Sequence, residues 1–299
     1  MICRDRVVII TGAGRGLGRA HALAFAAAGA SVVVNDVGTS GSGEGRSEGP
    51  ASEVVAEIEA AGGHALASTH DITDWDASGA LLAATLAKFG GLDVVVNNAG
   101  ILRDRMFVSA EVDEWDAVMR VHLRGHFCLS RHATSFWRAE AKAGRMPNAR
   151  ILNTTSGAGL QGSVGQAAYS AAKAGITALT LVQAAELDRY GITANAIAPA
   201  ARTRMTEGPF AAMMNAPGSG FDAWDPANVS PVLVWLGSPA ARSVTGRVFE
   251  VQGGKITLST GWQTGPVAER SARWLPEEVG PAVASLLESA PSPLPVYGA

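Results

Sequence analysis

The chain has 299 residues, of which 47% are hydrophobic and only 17% charged, so it can bury a large core and lacks the composition of a disordered protein. Its net charge of −3 argues against binders of nucleic acid or membrane surfaces, which need a basic surface. Cys3 and Cys128 lie far apart and fit neither a disulfide framework nor a zinc motif, which predicts a reduced, cytoplasmic protein. We expect neither a signal peptide nor a transmembrane helix, because the first residues read as a strand and the apolar runs are short.

Short runs rich in valine and isoleucine alternate along the chain with longer segments rich in alanine and leucine. The strand-like runs are 6–10, 31–36, 65–70, 92–97, 150–155, 192–197 and 247–251. The helix-like segments are 17–28, 53–61, 81–89, 115–137, 169–190 and 228–236. Continuous apolar strands joined by helices are typical of βαβ units. The sequence therefore predicts an α/β fold, with a single Rossmann-type, doubly wound sheet of seven parallel strands and helices on both faces.

Three segments depart from this alternation and suggest how the chain is divided. Residues 38–50 form a loop rich in glycine and serine. Residues 199–225 are long and apolar for a connection, which predicts a mobile lid over an apolar substrate. Residues 261–299 are rich in proline and predict an irregular C-terminal extension that wraps the surface. We therefore expect one domain over residues 1–260, including the lid, followed by this extension.

A glycine-rich turn, TGAGRGLG at residues 11–18, lies between the first strand and the first helix. Glycines there let the backbone approach a diphosphate, and the helix N-terminus then faces its negative charge. Asp36 ends the second strand, where a carboxylate accepts the ribose hydroxyls of NAD and repels the 2′-phosphate of NADP. Arg15 in the turn favours NADP instead, since it can pair with that phosphate. We give Asp36 the greater weight, because it is expected to point directly at the ribose.

Ser156, Tyr169 and Lys173 form a second group of candidate residues. Tyr169 and Lys173 are four residues apart, so they share one helix face. A neighbouring cation lowers the pKa of a phenol and makes it usable as an acid or base near neutral pH. Ser156 follows a predicted strand and can hydrogen-bond a substrate oxygen. The spacing alone is common on helices and does not establish a site.

His122 and His126 have the spacing of metal ligands on one helix face. Because no nearby carboxylate or cysteine completes a coordination shell, we predict no metal site. The alanine-rich helix at 167–187 is predicted to pack against another element or a second subunit.

These motifs, together with NNAG at 97–100 and YSAAK at 169–173, resemble the short-chain dehydrogenase/reductase family over about residues 4–257. The resemblance implies an NAD(P)-dependent enzyme and a homodimer or homotetramer. It implies that Tyr169 is the general acid/base, that Lys173 lowers its pKa and binds the nicotinamide ribose, and that Ser156 orients the carbonyl or hydroxyl group. The cofactor-binding residues that it implies are Gly12, Arg15, Gly16, Leu17, Gly18, Asp36, Asp71, Ile72, Asn98, Ala99, Gly100, Tyr169, Lys173 and Pro199.

Four longer stretches, at 32–38, 93–107, 120–127 and 204–206, are similar to the (3R)-hydroxyacyl-CoA dehydrogenase domain of peroxisomal multifunctional enzymes of type 2. This narrower likeness implies NAD-dependent interconversion of a secondary alcohol and a ketone on a (3R)-3-hydroxyacyl-CoA, with a fatty-acyl or steroid side chain. The alternatives are an NADPH-dependent 3-oxoacyl carrier-protein reductase, a 17β-hydroxysteroid dehydrogenase and a dinucleotide-sensing module without catalysis.

The chain departs from the usual family pattern at three places. His122 stands where most members have an asparagine that holds a relay water beside the active-site lysine, and either its side chain or its backbone could serve that role. Ala200 replaces the glycine of the usual Pro-Gly pair. The following segment is one residue shorter than usual, so either Thr203 or Thr206 would meet the cofactor's carboxamide.

Overall fold

The first strand shows why the chain forms a sheet that is buried on both faces. In the computed structural model, which describes residues 1–203 and 214–298, β1 (Val7–Thr11) consists of β-branched residues and is entirely buried. Branched side chains pack well on a pleated surface. Parallel strands pair with both of its edges, so its unbroken apolar run has neighbours on every side.

Within the described residues the sheet has eight strands, in the order β3-β2-β1-β4-β5-β6-β7-β8. The remaining strands are β2 (Ser31–Asn35), β3 (His64–Ser68), β4 (Val94–Asn97), β5 (Ala149–Thr154), β6 (Ile192–Ala200), β7 (Val248–Gln252) and β8 (Lys255–Ser259). The seven predicted strands are parallel, which confirms the fold class. The predicted number was wrong by one, because β8 pairs antiparallel with β7 at the edge. Its side chains are largely exposed, so it lacks the apolar run that marks a buried strand.

Helices cover both faces of the sheet. They are α1 (Gly16–Ala27), α2 (Gly49–Ala60), α3 (Trp75–Phe89), α4 (Val112–Met119), α5 (Gly125–Lys142), α6 (Gly157–Gln161), α7 (Ala167–Leu187), α8 (Ser230–Gly237) and α9 (Pro276–Ser289). One core contains side chains of α1, α2 and α8, such as Phe25 and Leu233. A second contains side chains of α3, α5 and α7, such as Leu81 and Trp137. Strand order reverses between β1 and β4, so a crevice opens where their carboxyl ends diverge.

The helix predicted over 115–137 is interrupted. A π-helical turn, Arg120–Arg124, separates α4 from α5 and contains His122. Such turns add a residue to the helical repeat and are frequent at functional sites. The hydrophobic pattern on either side is still helical, so the sequence did not reveal the interruption.

The C-terminal extension contains more regular structure than we expected. Residues 276–289 form α9, with Pro276 in its first turn, where proline is tolerated because that N–H has no helical partner. None of the described helices is long and apolar enough to cross a membrane. Both cysteines are buried and free.

Candidate active site

A cleft of about 830 Å³ opens at the carboxyl ends of the parallel strands. The structure brings all the predicted site residues to this one cleft. They are Gly12, Arg15, Gly16, Leu17, Gly18, Asp36, Asp71, Ile72, Asn98, Ala99, Gly100, His122, Ser156, Tyr169, Lys173 and Pro199. Ligands of open α/β sheets bind at this position.

The glycine-rich turn is packed against the end of β4 by close backbone contacts. Gly12 has a φ of +62°, and a Cβ added there would lie 2.8 Å from the Cα of Ala99. A Cβ at Gly18 would overlap the carbonyl oxygen of Gly12. The Asn98 side-chain amide donates to the carbonyls of Thr11 and Gly12, at 2.9 and 3.2 Å. The turn is therefore held open as a backbone cradle that larger residues would fill.

The N-terminus of α1 faces this cradle. No side chain caps it, since Arg15 at the N-cap position makes no capping hydrogen bond. Uncapped N–H groups at a helix N-terminus favour an anion such as a diphosphate.

The Asp36 carboxylate is fixed by two backbone donors. It accepts hydrogen bonds from the N–H groups of Gly14, at 2.8 Å, and Gly38, at 2.7 Å. A carboxylate held in this way presents a defined negative charge to the cleft. Arg15 is exposed and lines the same cleft as Asp36.

Arg46 is a second cation at this end of the cleft that the sequence analysis missed. It extends from the glycine-rich loop after β2, and its guanidinium lies 3.1 Å from a carboxylate oxygen of Asp71. The other oxygen of Asp71 accepts from the N–H of Thr73, at 2.9 Å. Arg46 stands in a segment with no helical or strand pattern, so no sequence signal indicated that it turns toward the cleft.

Ser156, Tyr169 and Lys173 lie together, although they come from two elements. Ser156 follows β5 and caps α6, where its Oγ accepts from the N–H of Ala158 at 3.2 Å. Tyr169 and Lys173 lie one turn apart on α7. The Lys173 Nζ is 5.5 Å from the centroid of the Tyr169 ring and donates to the Thr154 carbonyl at 2.7 Å. The predicted shared helix face therefore places the lysine amine beside the phenol.

The electrostatics of this pair differ from the sequence-based expectation. Burial raises the pKa of Tyr169 to about 12, and hydrogen bonding from Ser156 opposes that shift. Burial lowers the pKa of Lys173 to about 7. Without a bound cofactor, desolvation favours the neutral form of both side chains. Lys173 alone therefore does not bring the pKa of Tyr169 below its ordinary value.

His122 occupies the π-helical turn and packs edge-on against Tyr169, with 5.2 Å between the ring centroids. Its Nε2 lies 2.7 Å from the Ile101 carbonyl and 3.1 Å from the Ile101 backbone N, whose N–H points at it. Its buried Nδ1 has no partner among the described residues. Burial and the Lys173 charge lower the pKa of His122 to about 3, so the imidazole is neutral. A neutral imidazole carries one N–H and one lone pair, so the unpartnered Nδ1 can hold a water in either tautomer.

His126 does not join His122 in a ligand set. Its Nε2 accepts from the Thr154 N–H at 3.4 Å, and burial holds its pKa well below the usual range. Over the described ranges, no group of three or more histidine, cysteine, aspartate and glutamate side chains is arranged to hold a metal ion.

The predicted lid is described only in part, since residues 204–213 lie outside the described residues. Thr206 and Phe210 therefore lie outside the described residues, whereas both ends of the predicted lid are described. Thr203 lines the cleft, as do Met214 and Trp224 beyond the gap. Arg202 pairs with Asp222, and its N–H donates to the Trp224 carbonyl at 2.7 Å. The two described ends of this segment are therefore joined to each other at the cleft.

The C-terminal extension also reaches the cleft, which the sequence analysis did not predict. Tyr297 and Gly298 line it beside Ser156. Tyr297 and Gly298 lie far along the chain from every sequence motif of the site, so motif spacing could not predict that they reach the cleft.

The fold and the site define a class of protein, and comparison with known families agrees. Residues 6–212 match the short chain dehydrogenase family, so the chain belongs to that family, as its motifs indicated. It is an enzyme that acts on CH–OH groups, in a family that uses NAD(P).

Individual relatives narrow the comparison. The chain is 49% identical over 259 residues to the hydroxyacyl-CoA dehydrogenase ChsB1 of Mycobacterium tuberculosis, an alignment that covers 85% of this chain and 79% of that protein. It is 43% identical over 251 residues to the peroxisomal multifunctional enzyme type 2 of Mus musculus, with 84% of this chain and 32% of that protein covered. The chain thus spans about a third of the multifunctional enzyme. A crystal structure of a short chain dehydrogenase from Mycobacterium avium is 57% identical, with a TM-score of 0.90 and complete coverage of both chains.

Proposed function

We propose that this protein is an NAD-dependent dehydrogenase of (3R)-3-hydroxyacyl-CoA, with a fatty-acyl or steroid side chain. The observation that carries the proposal is that one cleft contains both the fixed Asp36 carboxylate and the Ser156, Tyr169 and Lys173 cluster. The names of the relatives support the choice of an acyl-CoA substrate.

The residues of the cleft fit a dinucleotide. The cradle around Gly12 and the N-terminus of α1 would hold the diphosphate, and Asp36 would accept the adenosine ribose hydroxyls. Asp71 and Ile72 would contact the adenine, while residues 98–100 and Pro199 would line the cofactor further along the cleft. When bound, oxidised NAD supplies the hydride acceptor and a positive charge in the cleft.

Tyr169 would take the proton of the substrate hydroxyl, and Ser156 would orient the same oxygen. Since burial raises the pKa of the phenol to about 12, its deprotonation requires positive charge in the site. Lys173, beside the ring, would supply part of that charge once it is protonated. The two groups would then act together as the general base for oxidation and the general acid for reduction.

His122 would hold the relay water. Its Nδ1 is buried without a partner among the described residues, and such atoms are normally satisfied by water. His122 and Lys173 both lie against the Tyr169 ring, which supports a relay through the side chain. The backbone version of the relay is the alternative that His122→Ala would test, since that variant keeps the backbone and removes the imidazole.

The test is a panel of substrates with NAD and the pure protein. It compares kcat/KM for (3R)- and (3S)-3-hydroxyacyl-CoA of several chain lengths, for acyl-CoA with a steroid side chain, and for 17β-hydroxysteroids. We expect the (3R)-acyl-CoA to be favoured by about tenfold or more. Preference for the (3S) enantiomer, or for a free 17β-hydroxysteroid, would overturn the proposal.

An NADPH-dependent 3-oxoacyl carrier-protein reductase is the second candidate, and two arginines that line the cleft, Arg15 and Arg46, favour it. Both could pair with a 2′-phosphate. Reduction of a 3-oxoacyl carrier protein with NADPH at a higher kcat/KM than any acyl-CoA reaction would establish this candidate instead.

The assembly and the compartment remain proposals. A homodimer or homotetramer is supported by the exposed apolar side chains Leu181 and Val182 on α7, which are 51% and 50% exposed. A cytoplasmic location follows from the sequence argument on the cysteines. The division into a domain of residues 1–260 and an extension of residues 261–299 likewise stays a prediction.

A further inference from the structure

Tyr297, near the C-terminus, is attached to both ends of the short helix that follows Ser156. Its N–H donates to the carbonyl of Gly162, the C-cap of α6, at 2.8 Å. Its ring packs over Gly157, the first residue of α6, so closely that a Cβ there would overlap the ring carbons. The end of the chain is thus seated on the element that carries Ser156.

The Tyr297 ring also forms part of the cleft, together with Tyr169, Met214 and Trp224. Burial raises the pKa of its phenol, and the nearby Glu250 carboxylate acts in the same direction. The side chain is therefore a neutral aromatic group that is only partly buried and borders the space in front of Ser156.

Stabilisation of the core does not explain this placement. Helix α9, which the structure describes in full, buries none of its residues. Leu294 in the same tail is 72% exposed. The tail thus contributes little apolar burial of its own, yet its tyrosine is directed into the cleft. Tyr297 also lies outside the residues 6–212 that match the family.

We propose that Tyr297 is a specificity-determining residue whose ring forms an apolar wall beside Ser156 and contacts the carbon chain of the substrate. The identity of the substrate as an acyl-CoA rests on the proposed function. An aromatic ring against an aliphatic chain removes apolar surface from water, and a longer chain offers more of that surface. The contact therefore favours long chains over short ones.

The test compares a short and a long (3R)-3-hydroxyacyl-CoA in four variants. Tyr297→Ala removes the ring, Tyr297→Phe keeps it without the hydroxyl, and Gly157→Ala leaves the tyrosine in place but displaces its ring. Leu294→Ala, on the exposed part of the tail, is the matched control. We expect Tyr297→Ala and Gly157→Ala to raise KM for the long chain about tenfold, with kcat and the short-chain KM little changed. Tyr297→Phe and Leu294→Ala should resemble the parent.

A binding measurement separates this proposal from the proposed function. The Kd values of butyryl-CoA and dodecanoyl-CoA need no turnover, and in the parent the longer ligand should bind more tightly. Tyr297→Ala should reduce that advantage about tenfold. An unchanged or larger advantage, or no advantage in the parent, would overturn the role of Tyr297. A parent that binds the longer chain more tightly but does not oxidise hydroxyacyl-CoA would overturn only the proposed function.

Amide hydrogen exchange provides the structural control. The Tyr297 N–H is bonded to the Gly162 carbonyl, so it should exchange slowly in the parent and faster in Gly157→Ala. Slow exchange in that variant, combined with parent-like selectivity, would show that the ring is not seated as described and would count against the proposal.

Discussion

The two ends of the cleft are built in different ways. The proposed cofactor end is made of backbone, where Gly12 and Gly18 pack against neighbouring main chain and Asp36 is held by two N–H groups. The proposed substrate end is made of side chains from distant segments, such as Met214, Trp224 and Tyr297. A backbone cradle requires glycine at particular positions, whereas a wall of side chains can be built from many different residues. One end can therefore be recognised from local sequence, and the other only from the folded structure.

Tyr169 lies between the two ends, and its replacement should have the largest effect. Tyr169→Phe should lower kcat about 10²–10⁴-fold, because only the transferable proton is lost. The Kd of NAD, measured by calorimetry, should stay within a few-fold of the parent value. Turnover close to that of the parent would refute the role of Tyr169 as the acid/base.

The backbone cradle is tested by Gly12→Ala, with Gly90→Ala as its control. Both glycines have positive φ, at +62° and +77°, but a Cβ at Gly90 has no neighbour within 4 Å. Both variants therefore bear the same kind of backbone strain, and only Gly12→Ala displaces the cradle. Since a misplacement of about 1 Å can cost about 10²-fold, we expect a loss of that order in kcat/KM for NAD with Gly12→Ala alone. Equal losses in the two variants would mean that strain, rather than close approach, matters at Gly12.

Asp36 tests cofactor choice at the same end of the cleft. Asp36→Ala should reduce the preference for NAD over NADP about tenfold, because a hydrogen bond to a charged group is lost together with repulsion of the 2′-phosphate. The measurement is the ratio of kcat/KM for the two cofactors. If that ratio is unchanged, other groups, such as Arg15 and Arg46, determine the preference between NAD and NADP.

The smallest expected effect concerns acid stability and the buried His122 beside Tyr169. The pKa of His122 is lowered from 6.5 to about 3 in the folded protein, so the unfolded chain binds more protons between those values. The contribution of His122 to stability is therefore present above about pH 6.5 and is lost as the pH falls toward 3. The decrease in Tm between pH 7 and pH 4.5 should be a few degrees smaller in His122→Asn than in the parent.

His21 provides a matched comparison for this measurement. It is buried with a pKa also near 3, and it bonds the Ser230 hydroxyl away from the cleft. His21→Asn should reduce the same pH-dependent decrease while activity is retained. A decrease identical to the parent's in both variants would show that carboxylates alone cause the acid sensitivity.

Most of the sheet and the cofactor end were predictable because their constraints are local. Buried parallel strands require apolar runs, and a close backbone approach requires glycine at fixed spacing. The features that the sequence did not reveal have other causes. Strand β8 is an exposed edge, the π-helical turn around His122 keeps a helical pattern on both sides, and Tyr297 reaches Ser156 only through the folded chain. The raised pKa of Tyr169 likewise arises from burial by the fold, which residue spacing does not report.

The most direct test of the function that joins both ends is the oxidation of a (3R)-3-hydroxyacyl-CoA by the unmodified protein with NAD and with NADP. We predict turnover of the (3R) enantiomer with kcat/KM for NAD at least about tenfold above that for NADP. The reason is that the Asp36 carboxylate would accept the ribose hydroxyls of NAD and repel the 2′-phosphate of NADP. Equal values for the two cofactors, or no oxidation of the (3R)-acyl-CoA with either, would contradict the proposed function.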